Sequence, residues 1–162
     1  MKTIIFSLAG TVLIAAYVAA QNFRQMPMPD LGGAIGWLNS VPLNGKSLRG
    51  KVVLVDFWTY TCINSLRPLP YVRTWAAKYK DIGFVVIGVH TPEFSFERER
   101  LNVEHMTSAL NITYPVAIDS DYSIWQSFHN EAWPAQYLKD KSVSSISERA
   151  ITPKSSASSS SS

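Results

Sequence analysis

The sequence predicts a three-layer α/β sandwich in which helices cover both faces of a central, mostly parallel sheet. Apolar runs rich in β-branched and aromatic residues occur at residues 51–58, 84–89 and 114–119. Segments with helical spacing of apolar residues separate them, at residues 65–80 and 94–110. Strands that alternate with helices form parallel βαβ units with right-handed crossovers, which gives this architecture.

The first buried strand is predicted at residues 51–58. A strand that is apolar on both faces belongs in the centre of a covered sheet. The residues before it, 21–44, are rich in Pro, Gly, Met and Asn and predict a linker and lead-in segment. Within that segment, residues 37–38 and 41–43 are expected to pair as an edge hairpin.

The helix at residues 65–80 is predicted from apolar side chains that recur at three- and four-residue steps: Leu66, Leu69, Val72, Trp75, Ala76 and Tyr79. Pro68 is tolerable in its first turn, whereas Pro70 is expected to bend it. The second helix, at residues 94–110, is amphipathic. Its charged residues 97–100 are most simply the solvated face.

One domain is predicted between the lead-in segment and a serine-rich tail, at residues 45–141. It also contains a short helix at residues 122–128 and a fourth strand at residues 135–138. The tail, residues 142–162, ends in a run of serines. Such a composition buries too little apolar surface to offset the entropy of ordering, so the tail is predicted to be disordered.

The first twenty residues are predicted to be a signal peptide or membrane anchor. Lys2 precedes a long apolar run that closes on small residues at Ala20. Two interpretations remain open: a cleaved signal peptide, and an uncleaved anchor at the lower length limit for a membrane span. Both place the rest of the chain in the periplasm or at the cell exterior, where disulfides persist.

Composition excludes several function classes. The net charge is only +3, and no basic stripe with interleaved aromatic residues predicts nucleic-acid binding. Cys62 is the only cysteine in the sequence. A single cysteine excludes an internal disulfide framework and a multi-cysteine metal site, so neither a metal nor another cofactor is expected.

The chemistry is expected at Cys62, in a turn between the first strand and the first helix. A sulfur at a helix N-terminus is exposed to unpaired N–H groups that stabilise the thiolate, which is the nucleophile in disulfide exchange. Asp56 ends the strand beneath this turn, where a buried carboxylate could carry protons to or from sulfur. His90 follows the second strand near the functional edge of the sheet. It could neighbour Cys62, but is interpreted as a loop residue, and His105 and His129 as helix surface.

The stretch Val55-Asp56-Phe57-Trp58, with Cys62 six residues beyond the acid, resembles the active-site pattern of thioredoxins. Residues 51–140 are similar to the thioredoxin-like domain of exported bacterial thiol–disulfide oxidoreductases of the TlpA/DipZ type. Residues 59–64 and 89–94 resemble a subgroup associated with cytochrome c biogenesis. The resemblance implies a cis peptide bond at Pro134, facing the cysteine turn, with Trp58 and Trp133 as candidates to flank the thiol.

Two departures from the family pattern affect the expected activity. Ser65 stands where the resolving cysteine of a C-x-x-C motif would be, and a serine hydroxyl cannot attack a mixed disulfide usefully. The antiparallel strand and covering helix that end the family domain are expected to be lost after Lys141, where the serine-rich tail begins.

Three functions are open at this point. The first is an oxidoreductase that uses Cys62 as a single attacking thiol on protein thiols or disulfides, with a membrane electron-donor protein as a further candidate partner. The second is an inactive relic or binding module of the same fold. The third is a thiol peroxidase that oxidises Cys62 to a sulfenic acid. It would need an arginine and a threonine near the thiol, for which Arg67 and Thr59 are candidates.

Overall fold

The computed structural model describes residues 28–139 and the backbone of a short strand at residues 146–148. The predicted signal or anchor and most of the serine-rich tail therefore lie outside the described residues. Within this described part of the chain, six strands form one sheet: β1 Gly36–Leu38, β2 Val52–Trp58, β3 Phe84–His90, β4 Val116–Ile118, β5 Ala135–Lys139 and β6 Ile146–Glu148.

The sheet is mixed, with spatial order β1-β4-β3-β2-β5-β6. Its centre is parallel: β2 pairs with β3, and β3 with β4, as the alternating strands and helices predicted. The outer strands are antiparallel, since β1 pairs with β4, β5 with β2, and β6 with β5. Both central strands therefore end at the same edge of the sheet, where β5 begins.

The predicted helix at residues 65–80 is divided in two, α1 Ile63–Leu66 and α2 Leu69–Tyr79. The interruption falls at Pro68, not at Pro70 as expected. Pro70 lies in the first turn of α2. Backbone N–H groups there make no intrahelical hydrogen bond, so the helix loses none through the N–H that proline lacks. A 3-10 turn at Lys80–Ile82 and Gly83, with a positive φ of 85°, then end this segment.

The second predicted helix also differs from expectation. Residues Ser95–Arg98 form a 3-10 turn, and the α-helix proper is α3 Arg100–Ala109. A short helix, α4 Ser123–Ser127, precedes β5, as predicted. Within the described residues, no helix is both long and apolar enough to span a membrane.

Two hydrophobic cores, one on each face of the sheet, confirm the three layers. On one face, α2 and α3 cover alternate β2 residues such as Leu54 and Trp58. On the other face, α4 and the lead-in segment cover the remaining set, including Val55 and Phe57. Burying both faces of β2 explains why its sequence is apolar almost throughout.

Both ends of the sheet correct the sequence-based expectations. Residues 37–38 do not form a hairpin with residues 41–43; they belong to β1, which pairs with β4. A three-residue strand, β6, pairs with β5, although no strand was expected in the tail. Backbone pairing at an open edge does not require a side-chain pattern, and three residues are too few to show one. The expected loss of the covering helix concerns residues outside the described part of the chain.

Candidate active site

Cys62 lies where β2 gives way to α1, at the carboxyl end of the sheet's central strand. Three residues form the connecting turn, and Cys62 is the N-cap of the four-residue helix α1. Its carbonyl accepts hydrogen bonds from the N–H groups of Ser65 at 2.9 Å and Leu66 at 3.1 Å. The side chain is half-buried, and its sulfur is a free thiol. Cys62 is thus held by the turn as a partly exposed residue.

Ser65 lies one helical turn beyond Cys62 and is buried. Its Oγ accepts a long hydrogen bond, 3.4 Å, from the N–H of Thr59 at the start of the turn. Positions three apart on a helix lie on the same side. By its spacing, Ser65 occupies the position of the second cysteine in a C-x-x-C motif.

Asp56 is buried in the middle of β2, on the same face as Leu54 and Trp58. Its Oδ1 accepts a hydrogen bond of 3.0 Å from Nε2 of Gln136, the residue opposite it on β5. Burial raises the pKa of Asp56 to about 7, because desolvation of the carboxylate outweighs the hydrogen bond from Gln136. A carboxyl group with this pKa can accept or donate a proton at neutral pH.

The peptide bond between Trp133 and Pro134 is cis, as the family resemblance implied. Pro134 immediately precedes Ala135, which pairs with Phe57 near the carboxyl end of β2. The indole Nε1 of Trp133 donates to the carbonyl of Thr91 at 3.1 Å, and the Thr91 N–H donates to the carbonyl of Trp58 at 3.3 Å. Pro134 is thus fixed at the sheet edge where the cysteine turn begins.

The two tryptophans expected to flank the thiol differ in environment. Trp58 is buried, with its ring edge-on to His90 at a centroid distance of 5.2 Å. Trp133 is half-buried and packs against Trp125, with ring centroids 4.3 Å apart. Trp58 belongs to the core, and flanking of the thiol stays a prediction for both residues.

His90 is the last residue of β3 and is fully buried, which corrects its interpretation as a loop residue. Its imidazole stacks on Tyr60 of the cysteine turn, with ring centroids 5.4 Å apart. Within the described residues, neither ring nitrogen has a hydrogen-bond partner. Burial lowers the pKa of His90 to about 4, although the negative charge of Glu97 opposes the shift. His90 therefore acts here as a neutral aromatic platform for the turn.

Glu97 is the residue of this region that sequence reasoning missed. The charged run predicts a solvated helix face for Glu97, yet its side chain is fully buried and accepts hydrogen bonds from the turn before Cys62. The regular helical period was assumed to begin at Phe94, whereas a 3-10 turn rotates Glu97 inward. The sequence feature that could have indicated a buried Glu97 is the pair of threonines in the turn, Thr59 and Thr61, since hydroxyl groups can donate hydrogen bonds to a buried carboxylate.

The candidate peroxidase residues have other partners. The Thr59 hydroxyl is buried and donates to Oε1 of Glu97 at 2.5 Å. Arg67 is exposed, and its guanidinium donates to Oδ1 of Asn64 at 3.3 Å. The geometry thus gives the thiol peroxidase hypothesis no support from these two residues. Within residues 28–139, no three His, Cys, Asp or Glu side chains are grouped as a metal ion would require.

Comparison with known proteins identifies the family. The thiol–disulfide oxidoreductase YkuV of Bacillus subtilis is 31% identical over 117 residues, which are 72% of this chain and 78% of that protein. This chain belongs to the thioredoxin-like thiol–disulfide oxidoreductases. Protein DipZ of Mycobacterium bovis is more similar, at 52% identity over 115 residues and 69% of this chain. The matching part is only 16% of DipZ. No family model matches the chain.

Solved structures agree with this assignment. The solution structure of a thioredoxin-like protein in its oxidised form superposes with a TM-score of 0.68 at 30% identity, covering 76% of this chain and 84% of that one. A thiol–disulfide isomerase from Corynebacterium glutamicum has a TM-score of 0.65 at 20% identity, covering 78% and 86%. At that lower identity the second match supports the fold alone.

A glycine beneath the site allows close packing around Asp56. Gly88 is opposite Asp56 on β3, and a Cβ there would lie 2.9 Å from Nε1 of Trp58 and 3.1 Å from the Tyr114 ring. We expect Gly88→Ala to destabilise the domain by about 1–3 kcal/mol, because both rings must shift in a filled core. Urea unfolding measures this loss. Gly45→Ala, which meets nothing within 4 Å, is the control; equal stability of both variants would contradict the packing argument.

Proposed function

We propose that this chain is an exported thiol–disulfide oxidoreductase that reacts through Cys62 as a single thiol. The observation that carries the proposal is the placement of Cys62, a half-buried free cysteine at the N-cap of α1 just beyond the central strand, three residues before the buried Ser65. Family membership supplies the class of reaction, and this chain's own residues set its limits.

The Cys62 thiolate attacks one sulfur of a disulfide in a protein or small molecule. A new disulfide forms between Cys62 and that sulfur, while the other sulfur leaves as a thiolate and takes up a proton. At this stage the leaving sulfur is reduced to a thiol and Cys62 is oxidised, while the substrate sulfur bound to Cys62 stays at the disulfide level. In a dithiol enzyme a second cysteine would then release the bound half.

Ser65 cannot perform that release, so the mixed disulfide persists until an external thiol attacks it. The external thiolate displaces Cys62 as a thiol and forms a disulfide with the substrate half, which restores the enzyme. Protein thiols and disulfides are thus the proposed partners, and a membrane electron-donor protein is a candidate source of the external thiol.

Asp56 and Pro134 are proposed to assist. The raised pKa of Asp56, about 7, suits a group that accepts the Cys62 proton and later returns it. Pro134 lies at the edge of the sheet beside the cysteine turn. There the backbone around a cis proline can pair with an extended substrate segment and present its disulfide to the thiol.

Export is proposed from the sequence alone. The apolar run after Lys2 supports delivery to the periplasm or cell exterior, either as a cleaved protein or as one anchored in the membrane. A role in cytochrome c biogenesis is proposed on the subgroup resemblance of residues 59–64 and 89–94.

Intact-mass measurement after incubation with glutathione disulfide tests the function. One glutathione adduct on Cys62 is expected, and none on Cys62→Ser. A parallel sample with hydrogen peroxide separates the peroxidase alternative, which predicts faster oxidation to sulfenic acid than glutathione addition. A folded protein that gives no adduct with glutathione disulfide would contradict the proposal and indicate a relic or binding module.

A further inference from the structure

We propose that Glu97 is a positioning residue, whose buried carboxylate holds the turn that presents Cys62. This inference rests on the proposed function of Cys62 and adds a group that acts on it through the backbone. Glu97 lies outside the strand–turn–helix of the cysteine, in a 3-10 turn 35 residues further along the chain.

One carboxylate oxygen binds the cysteine turn. Oε1 accepts hydrogen bonds from the hydroxyls of Thr59 at 2.5 Å and Thr61 at 2.6 Å, and from the Thr61 N–H at 3.3 Å. Thr61 immediately precedes Cys62. These three bonds therefore fix both ends of a three-residue connection whose last residue leads into the nucleophile.

The other oxygen binds the segment that carries Glu97. Oε2 accepts hydrogen bonds from the N–H groups of Glu93 at 2.6 Å and Phe94 at 3.0 Å. Tyr60, between the two threonines, donates its hydroxyl to the Phe96 carbonyl at 3.3 Å. Every residue of the turn is thus tied to residues 93–97, the two threonines through the Glu97 carboxylate and Tyr60 through the Phe96 carbonyl.

The hydrogen bonds to Glu97 favour the ionised form of its carboxyl group. Burial alone would raise the pKa of Glu97, but its hydrogen bonds to the two threonines and to backbone N–H groups outweigh desolvation and lower it. Removing one hydrogen-bond partner of this buried carboxylate costs free energy, because it leaves buried charge or a buried donor without a hydrogen bond. The turn consequently has one well-defined arrangement.

The consequence for reaction is geometric. Disulfide exchange needs the attacking sulfur in line with the disulfide, and small misplacements reduce such rates strongly. Alkylation by a small, freely diffusing reagent needs only an exposed thiol. Loosening the turn should therefore slow reaction with a disulfide more than reaction with iodoacetamide.

The test compares isosteric variants with a matched charge control. We expect Glu97→Gln and Thr61→Val to slow adduct formation with glutathione disulfide roughly tenfold, while the iodoacetamide rate changes less than about twofold. Thr61→Ser, which keeps the hydroxyl, should restore the wild-type rate. Glu104→Gln removes the same charge from an exposed position and should change neither rate.

Amide hydrogen exchange supplies a readout that needs no disulfide. In the full chain, protection of the Thr61 N–H should fall in Glu97→Gln and stay unchanged in Glu104→Gln. The proposal would be overturned if the reactions with glutathione disulfide and with iodoacetamide slowed equally. It would also be overturned if folded Glu97→Gln and Thr61→Val kept both wild-type rates and wild-type protection of the Thr61 N–H. If the wild type forms no glutathione adduct, the proposed function fails, and loss or retention of Thr61 protection still decides whether Glu97 holds the turn.

Discussion

Replacing Ser65 with cysteine is expected to turn a single-thiol protein into one that completes disulfide exchange unaided. The two positions are three apart at the start of α1, and Ser65 is buried against the turn that carries Cys62. A thiol there would attack the Cys62 mixed disulfide, release the substrate half as a thiol, and leave an internal disulfide. Because the attack is intramolecular, release should be accelerated at least about a hundredfold over release by a dilute external thiol.

Mass spectrometry and turnover measure this change. After glutathione disulfide, Ser65→Cys should lose two hydrogens and carry no adduct, whereas the wild type carries one glutathione. With a dithiol reductant present, both proteins should turn over, but the variant should be faster, because its mixed disulfide is released intramolecularly. Ser108→Cys, at an exposed position on α3, introduces a second thiol away from the site. Its Cys62 should therefore keep the glutathione adduct until an external thiol is added. A folded Ser65→Cys protein that retains the adduct would show that more than the resolving thiol is missing.

Replacing Asp56 with asparagine is expected to stabilise the fold at neutral and alkaline pH. The pKa of Asp56 rises from 3.8 to about 7 on folding, because burial penalises the carboxylate. Between these values the native state holds a proton that the unfolded state has released. Stability is therefore greatest below the unfolded pKa and falls as pH rises through about 7, by up to about 4 kcal/mol.

Asparagine is neutral at every pH and can still accept the hydrogen bond from Gln136, so it avoids this loss. Urea unfolding at pH 4 and pH 8 should show a variant that resembles the wild type at pH 4 and exceeds it by a few kcal/mol at pH 8. Asp81→Asn, at an exposed position, is the control and should show no such gain. A wild-type protein whose stability is unchanged or rises between pH 4 and 8, with Asp56→Asn following it, would contradict a raised pKa.

The position of Asp56 in the central strand could be predicted from a local pattern, whereas the cis bond before Pro134 was implied by the family resemblance. Asp56 is a charged residue inside an apolar strand, with Cys62 at a fixed distance beyond it. Pro134 directly precedes a strand, so the pairing of β5 with β2 brings it to the cysteine turn. The parallel centre of the sheet was predictable for the same reason, since alternation of buried strands and amphipathic helices is a local signal.

Glu97 and His90 could not be found in this way, because their roles depend on contacts between distant segments. Glu97 lies in a charged run that fits an exposed helix face, and only the Thr59 and Thr61 hydroxyls make its burial favourable. His90 is a polar residue, but its imidazole is buried and stacks on the ring of Tyr60. Tertiary packing overrides residue-type preference at both positions.

The release of thiol from glutathione disulfide tests the central claim most directly. The purified full chain is incubated with excess glutathione disulfide, and free glutathione is counted per protein molecule over time. The single-thiol mechanism predicts one equivalent released and then a stop, with release resuming only when an external thiol is added. Continued release without added thiol, or none from a folded chain whose Cys62 is reduced, would contradict it.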